Sequence, residues 1–147
     1  MIRLPELNFP AVELRRIERD GRTYVPDVVR GGYLVLTPEE WVRRHVIGYL
    51  TGYCGVELRT VMTEYPVDLN GTPQRADVVV ADTSGRPLIL VECKAPDVRI
   101  TREVFAQAVR YNSVLHARYI ILTNGMKHFC FEHAGGGYVR MSDFPRF

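Results

Sequence analysis

The sequence predicts an α/β (α+β) domain in which a mixed central sheet is flanked by helices and preceded by an N-terminal β-hairpin extension. Three observations predict it. Two segments, 37–52 and 101–117, carry apolar residues at helical spacing behind recognisable start signals. Between and after them lie β-rich runs separated by Asn-Gly and Ser-Gly pairs. The 147 residues, 46% of them hydrophobic, are enough for one core without disulfide or metal staples, so a single domain is expected.

The first 36 residues read as an extension, in which TYVPDVV, Gly31-Gly32 and YLVL suggest the hairpin. A helix should begin at Thr37, because TPEE offers a capping threonine, a proline at the first helical position and glutamates in the first turn. Trp41, Val42, His45, Val46, Tyr49 and Leu50 then share one stripe, and the helix should run out near Gly52. VELRTVMTEYPVDL, QRADVVVAD and PLILVECK follow as an antiparallel meander turned at Asn70-Gly71 and Ser84-Gly85. The unbroken apolar stretch from Leu88 to Val91 marks a central strand covered on both faces. Thr101 caps a second helix whose buried face is Val104, Phe105, Ala108, Tyr111 and Leu115. RYIILT and HFCFE form two more strands around Asn124-Gly125, and a Gly-rich tail closes the chain.

Composition excludes more than it identifies. No stretch approaches a membrane span and the N-terminus lacks the apolar core of a signal peptide, so a cytoplasmic protein is expected. Cys54, Cys93 and Cys130 are odd in number and widely spaced, which fits reduced thiols, and Cys130/His133 is a close Cys/His pair with no second cysteine at a ligand-like spacing, too little for structural zinc. No Walker motif is present, which argues against an ATPase. A net charge of +2 gives no basic field that would by itself announce nucleic acid. Yet only Lys94 and Lys127 are lysines; the other basic residues are arginines.

Asp77, Glu92 and Lys94 are where chemistry is expected. Side chains alternate along a strand, so Glu92 and Lys94 project from one face roughly 7 Å apart, and an antiparallel neighbour can bring Asp77 beside Glu92. Two carboxylates with a nearby carbonyl and waters suit Mg²⁺, with Mn²⁺ as a substitute. Lys94 could orient an attacking water, a task for which the always-protonated arginine is poorer. The bland alternative is a Glu–Lys salt bridge at a solvated strand end. Against it stands the abrupt change from apolar Val91 to charge, since buried charges at a strand end need pairing or a metal.

The segments TPEEWVRRHVIGYL, RADVVVAD, LILVECKAP, QAVRY and YIILTNG, spanning roughly Thr37 to Phe131, resemble the N-terminal nuclease domain of type I restriction enzyme R subunits and its stand-alone relatives in the PD-(D/E)xK superfamily. The resemblance implies a restriction-endonuclease-like core at 37–133, with 1–36 as extension and 134–147 as tail. It implies a Mg²⁺-dependent endonuclease acting on DNA, with Asp77 and Glu92 binding metal alongside the Cys93 backbone carbonyl, and with Asp77, Glu92 and Lys94 catalytic. Gln107 and Tyr111 match the family's Gln-x-x-x-Tyr motif, a catalytic and DNA-contacting role for Gln107 and a DNA-contacting one for Tyr111; the bland reading makes Tyr111 core and Gln107 incidental. Lack of a translocase segment implies reliance on a separate translocase, methyltransferase or specificity protein, or unaided cleavage.

In that family an acidic residue on the first helix completes the metal site. Glu40 is the best match, but Thr37-x-x-Glu40 is also a capping box, and Glu39 is a further candidate. Pro26-Asp27 spells the family's "PD" ahead of the core and is a decoy; Ala76 precedes the matching aspartate. Arg43, Arg44, Arg75 and Arg110 are candidates for phosphate contacts. Two other readings stay open: a nucleic-acid-binding or assembly module of the same fold without useful turnover, and a repair-type nuclease on other nucleic-acid substrates.

Overall fold

The first helix starts where its cap requires. In the computed structural model, which describes residues 3–147, α1 runs Pro38–Tyr53. Thr37 is extended and its Oγ1 accepts the Glu40 N–H at 3.0 Å, while Pro38 occupies a position where a missing N–H costs nothing. Val42, Val46, Ile47 and Leu50 form the buried stripe. No described helix is long and apolar enough to cross a membrane.

Ahead of α1 the extension holds three strands rather than the expected two. β1 (Ile17–Arg19), β2 (Arg22–Pro26) and β3 (Tyr33–Val35) form a separate antiparallel sheet in the order β1-β2-β3. The extra strand joins through Asp20 and Gly21, both at positive φ, which is the backbone a two-residue hairpin turn needs.

The core sheet has six strands, β4 (Val61–Leu69), β5 (Thr72–Ala81), β6 (Pro87–Cys93), β7 (Tyr119–Thr123), β8 (His128–Ala134) and β9 (Gly137–Met141), in sequential order. Every neighbouring pair is antiparallel except β6 and β7, which are parallel and joined by α2 (Arg102–Leu115), the crossover that parallel pairing requires. Thr101 stands at the N-cap of α2, though its side chain makes no capping hydrogen bond.

The sheet lies between the two helices. Val78, Val80, Ile89, Val91 and Ile121 pack toward α1, whereas Val79, Leu90, Ile120 and Leu122 pack toward Ala108, Tyr111 and Leu115 of α2. Ile89, Leu90 and Val91 are wholly buried, as the continuous apolar run predicts for a strand covered on both faces.

Residues 134–147 are not a tail. Gly135 and Gly136, both at positive φ, turn the chain into β9, Phe144 is buried in the α1-side core, and the Phe147 N–H bonds to the Cys54 carbonyl at 2.8 Å. The glycines that suggest slack instead supply a tight turn. Cys54, Cys93 and Cys130 are all free and buried.

Candidate active site

The meander brings Asp77 and Glu92 to one end of the sheet. Regular β5–β6 pairing stops at Val78 and Val91, and one step further the carboxylates replace the ladder: the Asp77 N–H donates to Glu92 Oε1 at 3.4 Å, and the Cys93 N–H donates to Asp77 Oδ2 at 2.7 Å. A strand residue turns its N–H and C=O to the same side, so the Cys93 carbonyl also faces β5. The Lys94 N–H, by alternation, reaches the other way to the Thr123 carbonyl at 2.9 Å.

Electrostatics at this pair are adverse. Glu92 is only 6% exposed. Burial and the neighbouring Asp77 carboxylate push the Glu92 carboxyl up to about 9, and burial also raises Asp77, against the Cys93 N–H, which favours its charged form. Around them stand Glu39 in the first turn of α1 and Glu64 on β4. The Glu39 carboxyl is raised by burial and then by Asp77, with Lys94 and Arg43 opposing. Lys94 is half-buried and, among the described residues, takes part in no ion pair. The result is a group of mutually repelling carboxyls beside one ammonium that, among the described residues, has no ion-pair partner.

Glu40 does not join it. Its carboxylate is held by Arg43 and, through Oε2, by Arg44 Nε at 2.9 Å, so the expected metal ligand is a hub of internal ion pairs. Only half of the capping box is built, because Thr37 receives the Glu40 N–H while the Glu40 side chain turns to the arginines. The first-helix carboxylate that senses Asp77 is its neighbour Glu39.

Two arginines are likewise withdrawn from the phosphate-contacting set. Arg43 donates to Glu40, to Glu64 Oε1 at 2.5 Å and to the Asp77 carbonyl at 3.5 Å. Arg44, its side chain 1% exposed, bonds Glu40 and Asp27. Pro26-Asp27 is thus structural: Asp27 Oδ1 accepts the Val29 and Arg30 N–H groups as well as Arg44. Arg75 and Arg110 remain exposed.

Helical spacing does place Gln107 and Tyr111 on one face of α2. Gln107 Nε2 donates to the Tyr111 hydroxyl at 3.0 Å, which donates to Gln74 Oε1 on β5 at 3.3 Å. Burial and then Glu92 raise the Tyr111 phenol, which puts this chain of polar groups within electrostatic reach of the carboxylate pair.

Residues 38–145 match the family described as type I restriction enzyme R protein N terminus. The chain belongs to that family. The R-protein N-terminal fold also recurs in a solved structure, a fragment described as an HsdR subunit of a type I restriction enzyme from Vibrio vulnificus YJ016, with a TM-score of 0.60 and 22% identity over 76% of this chain. This R-protein N-terminal chain spans 24% of the length of that one. None of the curated proteins matches it.

The donor chemistry of the site fits Mg²⁺. Oxygen is the only donor type offered, and two carboxylates that suppress each other's ionisation gain from a shared cation. Among the described residues no three His, Cys, Asp or Glu side chains are grouped closely enough to enclose an ion. Mg²⁺ commonly keeps several waters and binds through one or two carboxylates plus substrate phosphate, so two carboxylates are a sufficient protein share.

Glu64 and Gln74 escaped the sequence reading. Gln74 could have been found, being three residues before Asp77 on a strand already singled out. Glu64 could not: Val61, Thr63, Tyr65 and Val67 read as a regular alternation that gives it no special place.

Proposed function

We propose that this chain is a Mg²⁺-dependent endonuclease domain that hydrolyses DNA phosphodiester bonds as part of restriction. The reading is carried by the contact between Asp77 and Glu92, where mutual repulsion and burial drive one carboxyl toward protonation beside an ammonium with no ion-pair partner. A divalent cation resolves that conflict.

Asp77 and Glu92 would hold Mg²⁺ or Mn²⁺ with the Cys93 carbonyl, and Glu39, whose carboxyl feels the Asp77 charge, would be the first-helix acid near the ion. Bound there, the ion supplies a polarised phosphate and a more acidic attacking water. Lys94 orients that water by donating to its oxygen and stabilises the negative charge that grows on the phosphoryl oxygens. Half-buried Gln107 would present its amide to the strand being cut, with the buried Tyr111 hydroxyl holding it in place, and exposed Arg75 and Arg110 offer guanidinium groups to flanking phosphates. The R-protein family context supports DNA as substrate and a methyltransferase, specificity protein or translocase as partners.

Nicking of supercoiled plasmid tests the reading. Wild-type protein should nick with Mg²⁺ or Mn²⁺, and Lys94→Ala should be slower by about 10²-fold or more while still folded and still stabilised by the metal. Absence of wild-type nicking with every divalent cation tried overturns the nuclease reading and leaves a nucleic-acid-binding module.

A further inference from the structure

Opposite Asp77, strand β4 does something that a strand ordinarily avoids. Glu64 sits mid-strand at φ 51°, the left-handed region that side chains other than glycine and asparagine rarely enter. Pairing between β4 and β5 is regular on both sides, at Thr63 with Val78 and at Tyr65 with Ala76, and lapses at Glu64 and Asp77 between them. The inward face changes phase at the same point in both strands. Toward α2 point Met62 and Val79 before the lapse, then Tyr65, Val67 and Ala76 after it. Even positions of β4 give way to odd ones, and odd positions of β5 to even ones, without an inserted residue.

Asp77 is thereby unpaired to its β4 side as well as to its β6 side, and its carboxylate can meet the Cys93 N–H instead of lying on a sheet face. The distortion is braced. Arg43 Nη1 donates to Glu64 Oε1 at 2.5 Å and to the Asp77 carbonyl at 3.5 Å, so one nitrogen ties the two strands across the gap. Arg30 Nη2 holds the Thr63 carbonyl one residue earlier at 2.5 Å. A non-glycine residue kept at positive φ by its surroundings, next to a reactive centre, is the usual place for strain that serves function.

We propose that Glu64 is a positioning residue: its left-handed turn, clamped by Arg43, interrupts the β4–β5 ladder so that the Asp77 carboxylate is delivered to Glu92. The inference rests on the nuclease reading only for its functional consequence. The placement itself can be read without metal or DNA, because the Cys93 amide reports whether Asp77 is in position.

The test compares Glu64→Ala, Glu64→Gly and Glu64→Gln in the full chain. Alanine and glycine both remove the carboxylate that Arg43 holds, but only alanine resists positive φ. Amide hydrogen exchange by NMR should show the Cys93 N–H exchanging about tenfold faster in Glu64→Ala, with the Val79 and Leu90 amides unchanged, and within about threefold of wild type in Glu64→Gly and Glu64→Gln. The Mg²⁺ concentration for half-maximal nicking should rise in the alanine variant and recover in the glycine variant. Wild-type Cys93 protection in Glu64→Ala, or equal loss in alanine and glycine variants, overturns the proposal. If wild-type protein does not nick DNA, the nuclease reading falls and the exchange data still decide the role of Glu64.

Discussion

Replacing Glu92 by glutamine should stabilise the metal-free protein while removing the metal's effect on it. Burial and Asp77 lift the Glu92 carboxyl from 4.5 to about 9, so near pH 7 this group is ionised in the unfolded chain and protonated in the fold. Taking up that proton costs about 1.4 kcal/mol for each pH unit above 4.5, or about 3 kcal/mol near pH 7. The sign follows: a carboxyl raised in the fold favours folding most below its unfolded pKa, and the benefit is lost as pH climbs toward the folded value. Glutamine is neutral throughout. Its carbonyl can accept the Asp77 N–H as Glu92 Oε1 does, and its amide can donate to the Asp77 carboxylate. The variant should therefore gain about 3 kcal/mol near pH 7, about 6 to 12 °C in melting temperature for a chain of this size, and the gain should fade toward about pH 4.5. Millimolar Mg²⁺ should raise the wild-type melting temperature and leave that of Glu92→Gln unchanged. Thermal unfolding followed by circular dichroism from about pH 4.5 to 9, with and without Mg²⁺, decides the matter. A Glu92→Gln protein no more stable than wild type at neutral pH, or a gain that does not vary with pH, refutes the reasoning.

Two further substitutions separate adjacent carboxylates, and a third tests the C-terminal segment. Glu39→Gln should raise the Mg²⁺ concentration needed for half-maximal nicking while leaving the metal-free melting temperature close to wild type, because Glu39 feels Asp77 but, among the described residues, takes part in no ion pair whose loss would cost stability. Glu40→Ala should instead cost about 3 kcal/mol in urea unfolding, since it strips Arg43 and Arg44 of the carboxylate they share within the fold. Equal behaviour of the two variants would contradict the division of roles. Phe144→Ala should destabilise by about 3 kcal/mol by urea titration, because the ring fills the core between Phe9 and Tyr49; a loss below about 1 kcal/mol would return residues 134–147 to the status of a dispensable tail.

Much of the fold was legible because its signals are local. Thr37-Pro38 sets the start of α1, the Asn-Gly and Ser-Gly pairs set the turns of the meander, and Leu88–Val91 announces a strand covered on both faces, each within a few neighbouring residues. The glycines of the C-terminal segment misled because a turn and a slack linker share composition, and only pairing with β8 distinguishes them. The third strand of the extension leaves no local signal for a similar reason: β1 is short and polar, and a strand becomes one through its partner.

The sequence by itself determined which residue types could meet, Asp77, Glu92, Lys94, Gln107 and Tyr111, because strand alternation and helical spacing are properties of the chain alone. Tertiary structure decided the rest of the site. It assigned Glu40 to Arg43 and Arg44, turned Glu39 toward Asp77, withdrew two arginines from the surface, and set Glu64 at positive φ opposite the unpaired aspartate. A carboxylate's role depends on which charges lie within a few ångströms of it and on how much water remains, and those quantities arise only when segments distant in sequence pack together.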